Sequence, residues 1–322
     1  MKRKYWIILG VFGFLFLVLL LKSIGEEAHH PYNLEKDFLK GVSLSPRSFV
    51  GEDFTNFFGE ASQVGDVVMW AGDWAQLKDM KVIPELAEDY DYMPLMEVGH
   101  YVQETGKLIR PFTEENKQMY LEDTLEFIEE YDLKYFGIGV EVNVFAKKNP
   151  EDFEEFVIFY NEVYEEIKKV SLETKVFTVF QLETMKGSDM WGLEENEPSW
   201  EMIDLFKSDV VGFTTYPGLF YKDVSDIPQD HYSEIKLHTS KPIVFTEIGW
   251  HSEAFPEGWE SSEEEQAEFV EKFFEWTKDL NKEIVIWSFL YDPDTIKPFD
   301  SMGLINSDGE KKEAWVVWEH GE

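Results

Sequence analysis

From residue 39 onward, short apolar runs alternate with longer stretches whose apolar residues recur at helical spacing. Eight runs of the first kind stand out: LKGVSLS (39–45), DVVMWAG (66–72), DYMPLME (91–97), YFGIGVE (135–141), KVFTVFQ (175–181), DVVGFTTY (209–216), PIVFTE (242–247) and EIVIWSFLY (283–291). Such β-rich runs, nearly continuous in hydrophobicity, predict strands buried on both faces. The intervening stretches carry helix-start signals. Thr113 can cap a helix beginning at FTEENKQ. Asn149 and Pro150 occupy N-cap and first-turn positions, and Ser262 and Glu265 have capping-box spacing. Residues 73–90 show a less regular helical pattern. Strands alternating with helices imply a parallel sheet. Eight units across 39–322 predict an α/β fold, the (β/α)8 TIM barrel, rather than an open doubly wound sheet. No G-x-G-x-x-G loop follows the first run, which lowers the dinucleotide-binding alternative.

The N-terminus departs from this pattern. Lys2, Arg3 and Lys4 precede an uncharged run from Tyr5 to Leu21. The run is at the short edge of a membrane span and the long edge of a signal-peptide core. Residues 1–22 are expected to form an uncleaved signal anchor, a transmembrane helix with its basic end in the cytoplasm. Cleavage near Ser23 or Gly25 would instead secrete the protein. Either route puts the body outside the cytoplasm. Residues 23–38 are expected to be a tether and 39–322 the barrel.

Charge narrows the partners. Beyond residue 22 the chain holds 65 acids against 25 bases, a net of −40. Such a surface repels phosphate backbones, so no nucleic-acid partner is expected. The chain has no cysteine, which excludes disulfides and thiolate chemistry. No His-x-His follows the first run and no Gly-x-Ser-x-Gly elbow occurs. No metal and no cofactor are therefore expected.

In a barrel of this kind the active site lies at the C-terminal strand ends. The predicted ends carry Ser45 and Arg47; Trp70, Asp73 and Trp74; Glu97 and His100; Glu141 and Asn143; Gln181 and Glu183; Tyr216; Glu247 and Trp250; and Trp287, Tyr291 and Asp292. Carboxylates and aromatic rings dominate. One carboxylic acid to protonate a leaving oxygen, one carboxylate to attack, and flat rings for sugar faces are what glycoside hydrolysis needs. The fourth and seventh strands stand almost opposite each other, so Glu141 and Glu247 can converge.

On these residues the sequence resembles clan A of the glycoside hydrolases, barrels whose acid/base glutamate ends strand 4 and whose nucleophile ends strand 7. FTEIGW (245–250) is similar to that clan's nucleophile strand. DVVGFTTYP (209–217) resembles the strand-6 motif of the family 53 endo-β-1,4-galactanases. WSFLYDP (287–293) and MGLINSDGEKKEAW (302–315) resemble the strand-8 and C-terminal segments. The likeness spans 39–318. One departure is Val140, which stands where the clan usually has asparagine; the family 113 β-mannanases also lack that asparagine.

The resemblance implies a retaining hydrolase of a β-linked polysaccharide or oligosaccharide, with Glu247 as nucleophile and Glu141 as acid/base. Tyr216 would orient Glu247, Trp287 would floor the first subsite, and Asn143 would stand in for the absent asparagine. Arg47 would offset the carboxylate charge. Trp70, Trp74, Trp250 and Trp259 are candidate sugar platforms, and Glu97 and Glu183 candidate hydroxyl ligands. The alternatives are a glycan-binding barrel without turnover, anchored at the cell surface, and a transglycosylase using the same residues.

Overall fold

The computed structural model describes residues 36–188 and 196–321. Nine parallel strands form one sheet: β1 (Leu39–Ser43), β2 (Val67–Asp73), β3 (Met93–Gly99), β6 (Tyr135–Ile138), β7 (Lys175–Phe177), β8 (Val179–Gln181), β9 (Val211–Thr215), β10 (Ile243–Ile248) and β11 (Lys282–Trp287). Their order is β7-β6-β3-β2-β1-β11-β10-β9-β8. The first and last strands of that order are separated only by Thr178, so the sheet curls round on one stretch of backbone. The Val179 amide donates back to Gly139 O at 3.1 Å, across the seam. The predicted eight runs thus make a TIM-type barrel, with the fifth run broken into two strands. Two further strands, β4 (Tyr101–Val102) and β5 (Lys107–Leu108), form a small antiparallel hairpin that the apolar pattern did not reveal.

The helices start where the sequence signals placed them. The Thr113 hydroxyl accepts from Asn116 N at 3.2 Å and caps α3 (Glu114–Tyr131). Asn149 caps α5 (Pro150–Val170), with Pro150 at the first position. Ser262 caps α7 (Glu263–Thr277) by accepting from Glu265 N at 3.2 Å. Residues 74–90 form a 3₁₀ segment (Trp74–Lys81) running into α2 (Val82–Tyr90). Helices α1 (Glu52–Val64), α4 (Val142–Lys148), α6 (Leu182–Met185) and α8 (Glu313–His320) complete the set of α-helices among the described residues. No helix among the described residues is long and apolar enough to cross a membrane. The expected anchor falls on residues 1–22, which lie outside the described residues.

Two cores hold the barrel. Between sheet and helices, Phe156, Phe269, Phe273, Trp287, Trp315 and Trp318 belong to one large apolar cluster. Inside the barrel, register sets Ala71, Glu97, Gly137 and Phe177 side by side on four adjacent strands. Residues paired in parallel register share a face, so all four point inward. Gly137 is there because a Cβ would lie 2.9 Å from Glu97 Cγ and 3.1 Å from the Phe177 ring. The sheet therefore admits the Glu97 side chain only where its neighbour has none.

Candidate active site

The fourth run ends earlier than its apolar pattern suggests. Gly139, at φ 87°, turns the chain out of β6, and Glu141 follows at φ 51°, ψ 47°. A left-handed non-glycine residue carries strain that local packing must hold. The Tyr101 hydroxyl donates to Glu141 O at 2.8 Å, and Val144 N donates to the same carbonyl at 2.8 Å. Glu141 thus caps α4 and faces the barrel mouth instead of lying in a ladder.

Opposite, β10 carries a bulge between Phe245 and Glu247, which re-aims the strand end. Glu247 then pairs in register with Thr214 of β9. The Thr214 hydroxyl donates to Glu141 Oε1 at 2.7 Å. One threonine therefore lies between the two carboxyls and makes them near neighbours. Each keeps partial access to solvent at the mouth.

Their surroundings differ. The Tyr216 hydroxyl donates to Glu247 Oε2 at 2.5 Å and lies 2.8 Å from Ser288 Oγ, which fixes it in place. Burial pushes the Glu247 carboxyl above its usual range, and the Tyr216 hydrogen bond opposes that. Glu141 is pushed up to about 8, first by burial and then by the charge of Glu247; the Thr214 hydroxyl only partly offsets these. Of the two, Glu141 is therefore the one that holds a proton at neutral pH. Two neighbouring carboxyls with different ionisation are the electrostatic requirement for one acid and one nucleophile.

A cleft of about 300 Å³ opens beside them, lined by Gly72, Asp73, Tyr101, Gln103, Val140 and Glu247 among others. Asp73 is held by Arg110, whose Nη1 lies 2.6 Å from Oδ2, while the guanidinium sits 5.2 Å over the Trp74 ring. A larger hollow of about 630 Å³ lies at the opposite end, between Lys36, Lys40, Asp66 and His320. It borders the N-terminal ends of β1 and β2. Its size does not outweigh the convergent carboxyls at the C-terminal ends, where barrels of this fold place their chemistry. Among the described residues no set of three or more His, Asp or Glu is arranged to hold a metal ion.

Several residues expected at the mouth lie elsewhere. Trp287 is fully buried between sheet and helices, donates to Met302 O and packs on Phe269 and Trp318. It cannot floor a sugar site. Trp250 stacks on Phe269 with centroids 5.2 Å apart and donates to Ser261 Oγ. Trp70 and Trp74 belong to the same outer core, and Trp259 is buried as well. None of the five lines the cleft. Arg47 is exposed and lies over the Tyr291 ring at 4.7 Å, so it does not neutralise the catalytic-end carboxyls. Asn143 is buried and ties α4 to the end of β8 through two 2.9 Å bonds with Gln181 N and O. His100 packs among Phe112, Tyr120 and Phe156, and burial drives its imidazole down to about 3.

The two other glutamates are interior groups, not hydroxyl ligands. Glu183 is fully buried and accepts from Thr215 Oγ1 at 2.6 Å, Gln181 Nε2 at 2.5 Å and His231 Nε2 at 3.1 Å. Burial raises its carboxyl, but the His231 and Thr215 hydrogen bonds outweigh that and hold it below the usual range. Burial holds His231 low, so the ring is neutral at pH 7. Lys186 Nζ, 3.4 Å from Nδ1, sets the tautomer that donates from Nε2. Because Tyr216 N also points at Glu183 Oε2 at 3.4 Å, this network supports the residue that holds Glu247. Glu97 is fully buried with no hydrogen-bond partner on either oxygen among the described residues. Burial and then the charge of Glu247 push it well above the usual range, with the Thr246 hydroxyl opposing.

Sequence reasoning missed Gln103, Tyr101, Thr214, Ser288, Arg110 and His231. The hairpin residues had a signal: YV and KLI flank Glu104-Thr105-Gly106, a turn sequence between short apolar pairs. The others had none, because they are defined by what they touch.

No family model matches this chain, and no curated protein does. Solved structures do. The exo-β-1,4-mannosidase Op5Man5 from Opitutaceae bacterium strain TAV5 superposes with a TM-score of 0.64 at 12% identity, covering 88% of this chain and 58% of its own. A family 39 glycoside hydrolase from Bacteroides cellulosilyticus WH2 gives 0.62 at 16% identity, covering 90% and 64%. The Rhizomucor miehei β-1,3-glucanosyltransferase gives 0.58 at 14% identity, covering 86% and 96%. The chain shares their barrel fold. It spans less than two thirds of the length of the first two.

Proposed function

We propose that this chain is a retaining glycoside hydrolase of a β-linked glycan, with Glu247 as nucleophile and Glu141 as acid/base. The observation that carries the reading is the unequal environment of two adjacent carboxyls at a barrel mouth. Tyr216 serves Glu247, and Glu141 keeps the proton. In the first step a Glu247 oxygen attacks the anomeric carbon while Glu141 passes its proton to the departing oxygen. In the second, Glu141 takes a proton from water, which attacks the same carbon and frees Glu247. The fold likeness to proteins named as a β-mannosidase and a β-glucanosyltransferase supports a β-linked substrate. The same residues serve transfer to a sugar acceptor; products longer than the substrate would mark that outcome. The apolar run at residues 5–21 would hold the barrel at a membrane on its extracytoplasmic side.

The test is sugar release by the full-length protein from β-galactan, β-mannan, β-glucan and xylan, with the first-formed anomer followed by NMR. A product of retained configuration is expected. An inverted product rejects the nucleophile assignment, and binding without release favours a glycan-binding barrel.

The pH profile follows from the same pair. Activity needs Glu247 ionised and Glu141 protonated. It should rise as pH climbs through the Glu247 value, above the ordinary carboxylate range, and fall near pH 8 as Glu141 loses its proton. Tyr216→Phe removes the donor that favours ionised Glu247. The acid limb of kcat/KM should then move to higher pH, with a loss of roughly 10–100-fold at its optimum. An unmoved acid limb would show that Tyr216 does not govern Glu247.

A further inference from the structure

The hairpin between β3 and α3 is fastened to the segment that follows Glu141. Tyr101 stacks on Phe145 of α4 with centroids 4.5 Å apart at 14°, and its hydroxyl donates to Glu141 O. Lys148 Nζ, at the end of α4, donates to Gln103 O at 2.5 Å and Glu104 O at 3.2 Å. Asn149 Nδ2 donates to Gly106 O at 3.0 Å. Gly106 itself has φ +69°, and a Cβ there would meet Lys148 Cβ at 2.6 Å. These contacts fix the turn against α4. The turn then delivers one side chain to the site: Gln103 Nε2 donates to Glu141 Oε2 at 2.9 Å. Gln103 and Val140 line the same cleft.

We propose that Gln103 is a positioning residue for the acid/base, supplying from the hairpin an amide donor to Glu141 where Val140 supplies none. The role in turnover rests on the function proposed above; the contact and its effect on Glu141 do not. Thr214 already donates to Oε1, so Gln103 completes a two-donor cradle with one donor for each oxygen. Both donors stabilise the carboxylate that Glu141 becomes once its proton has gone to the departing oxygen. They also fix the plane of the carboxyl. The other charged and titratable groups facing Glu141 are Glu247, Glu183 and Lys148, with Glu97 below and Tyr101 and Tyr216 beside it. Among them Lys148 is the one cation, and it is engaged with the hairpin carbonyls.

The experiment measures the Glu141 carboxyl directly. Side-chain carboxyl NMR titrations are run on wild type, Gln103→Ala and Gln103→Glu, with Glu141→Gln identifying the resonance. Loss of the donor should raise the Glu141 value by about one pH unit in Gln103→Ala. The like charge should raise it further in Gln103→Glu. An unchanged or lowered value in Gln103→Ala overturns the proposal, whatever the activity. In turnover, Gln103→Ala should lose about tenfold in kcat/KM on glycans with poor leaving groups, lose little on activated aryl glycosides, and move its basic limb upward. Equal loss on both substrates with an unmoved basic limb would also overturn it. A shifted Glu141 value in a protein that releases no sugar would instead sink the hydrolase reading and leave the contact standing.

Discussion

Glu247→Gln should lower sugar release by at least about 10⁴-fold, because an amide can neither attack the anomeric carbon nor be displaced by water. The substitution keeps the shape of the side chain and removes a charge from a crowded site, so the fold should be unharmed. Glu141→Gln should behave differently. General acid catalysis contributes about 10²–10⁴-fold, so loss on a natural glycan falls in that range. It shrinks on an aryl glycoside whose leaving group needs no proton. The contrast separates the two roles even though both side chains share one cleft. The structure adds a further expectation: Glu247→Gln removes the charge that helps raise Glu141, so Glu141 should titrate closer to an ordinary carboxylate in that variant.

Glu97→Gln should make the protein more stable at neutral pH and leave it nearly unchanged at pH 4.5. Glu97 is fully buried inside the barrel, and its carboxyl is raised well above its usual value. In the folded protein it therefore stays protonated, whereas in the unfolded chain it ionises above about pH 4.5. A group raised in this way contributes its full stability below the unfolded value. It loses about 1.4 kcal/mol for each pH unit climbed toward the folded value. Glutamine is permanently neutral and escapes that loss. The variant should therefore gain stability at pH 7 relative to wild type and little at pH 4.5, read from urea denaturation at the two pH values. An equal effect at both values, or a loss at pH 7 alone, would mean that Glu97 is ionised in the native barrel. Its side chain would then need a closer partner than the Thr246 hydroxyl, and Gly137 and Phe177 provide none.

The fold was legible because each strand was announced by an apolar run and three of the helices by a cap. Thr113, Asn149 and Ser262 do in the structure what their types and spacing imply. Glu141 and Glu247 were legible as carboxylates closing buried runs, a costly arrangement without a purpose. The direction of the side chains was not legible. Strands buried on both faces show no alternation, so nothing in VVMW or IVIW says whether the tryptophan faces the barrel axis or the helices. Trp70 and Trp287 fall on the helix side, and with them go a candidate sugar platform and the expected subsite floor. The same ambiguity hid Glu97, which parity sends inward beneath the site. Glu183 is covered by His231, a residue 48 positions away whose approach only the folded chain reveals. The end of the fourth strand was misplaced by three residues because Gly139 adopts a positive φ that an apolar run does not signal.

The central claim is that Glu247 forms a covalent bond to sugar. The most direct test is to treat the full-length protein with activated 2-fluoro glycosides of the gluco, galacto, manno and xylo series, which stall the second step. The labelled peptide is then identified by mass spectrometry. The account predicts a single adduct on the peptide containing Glu247, absent in Glu247→Gln. An adduct on Glu141, Glu97 or any other side chain, or turnover of a matching glycan with inversion and no adduct, would contradict it.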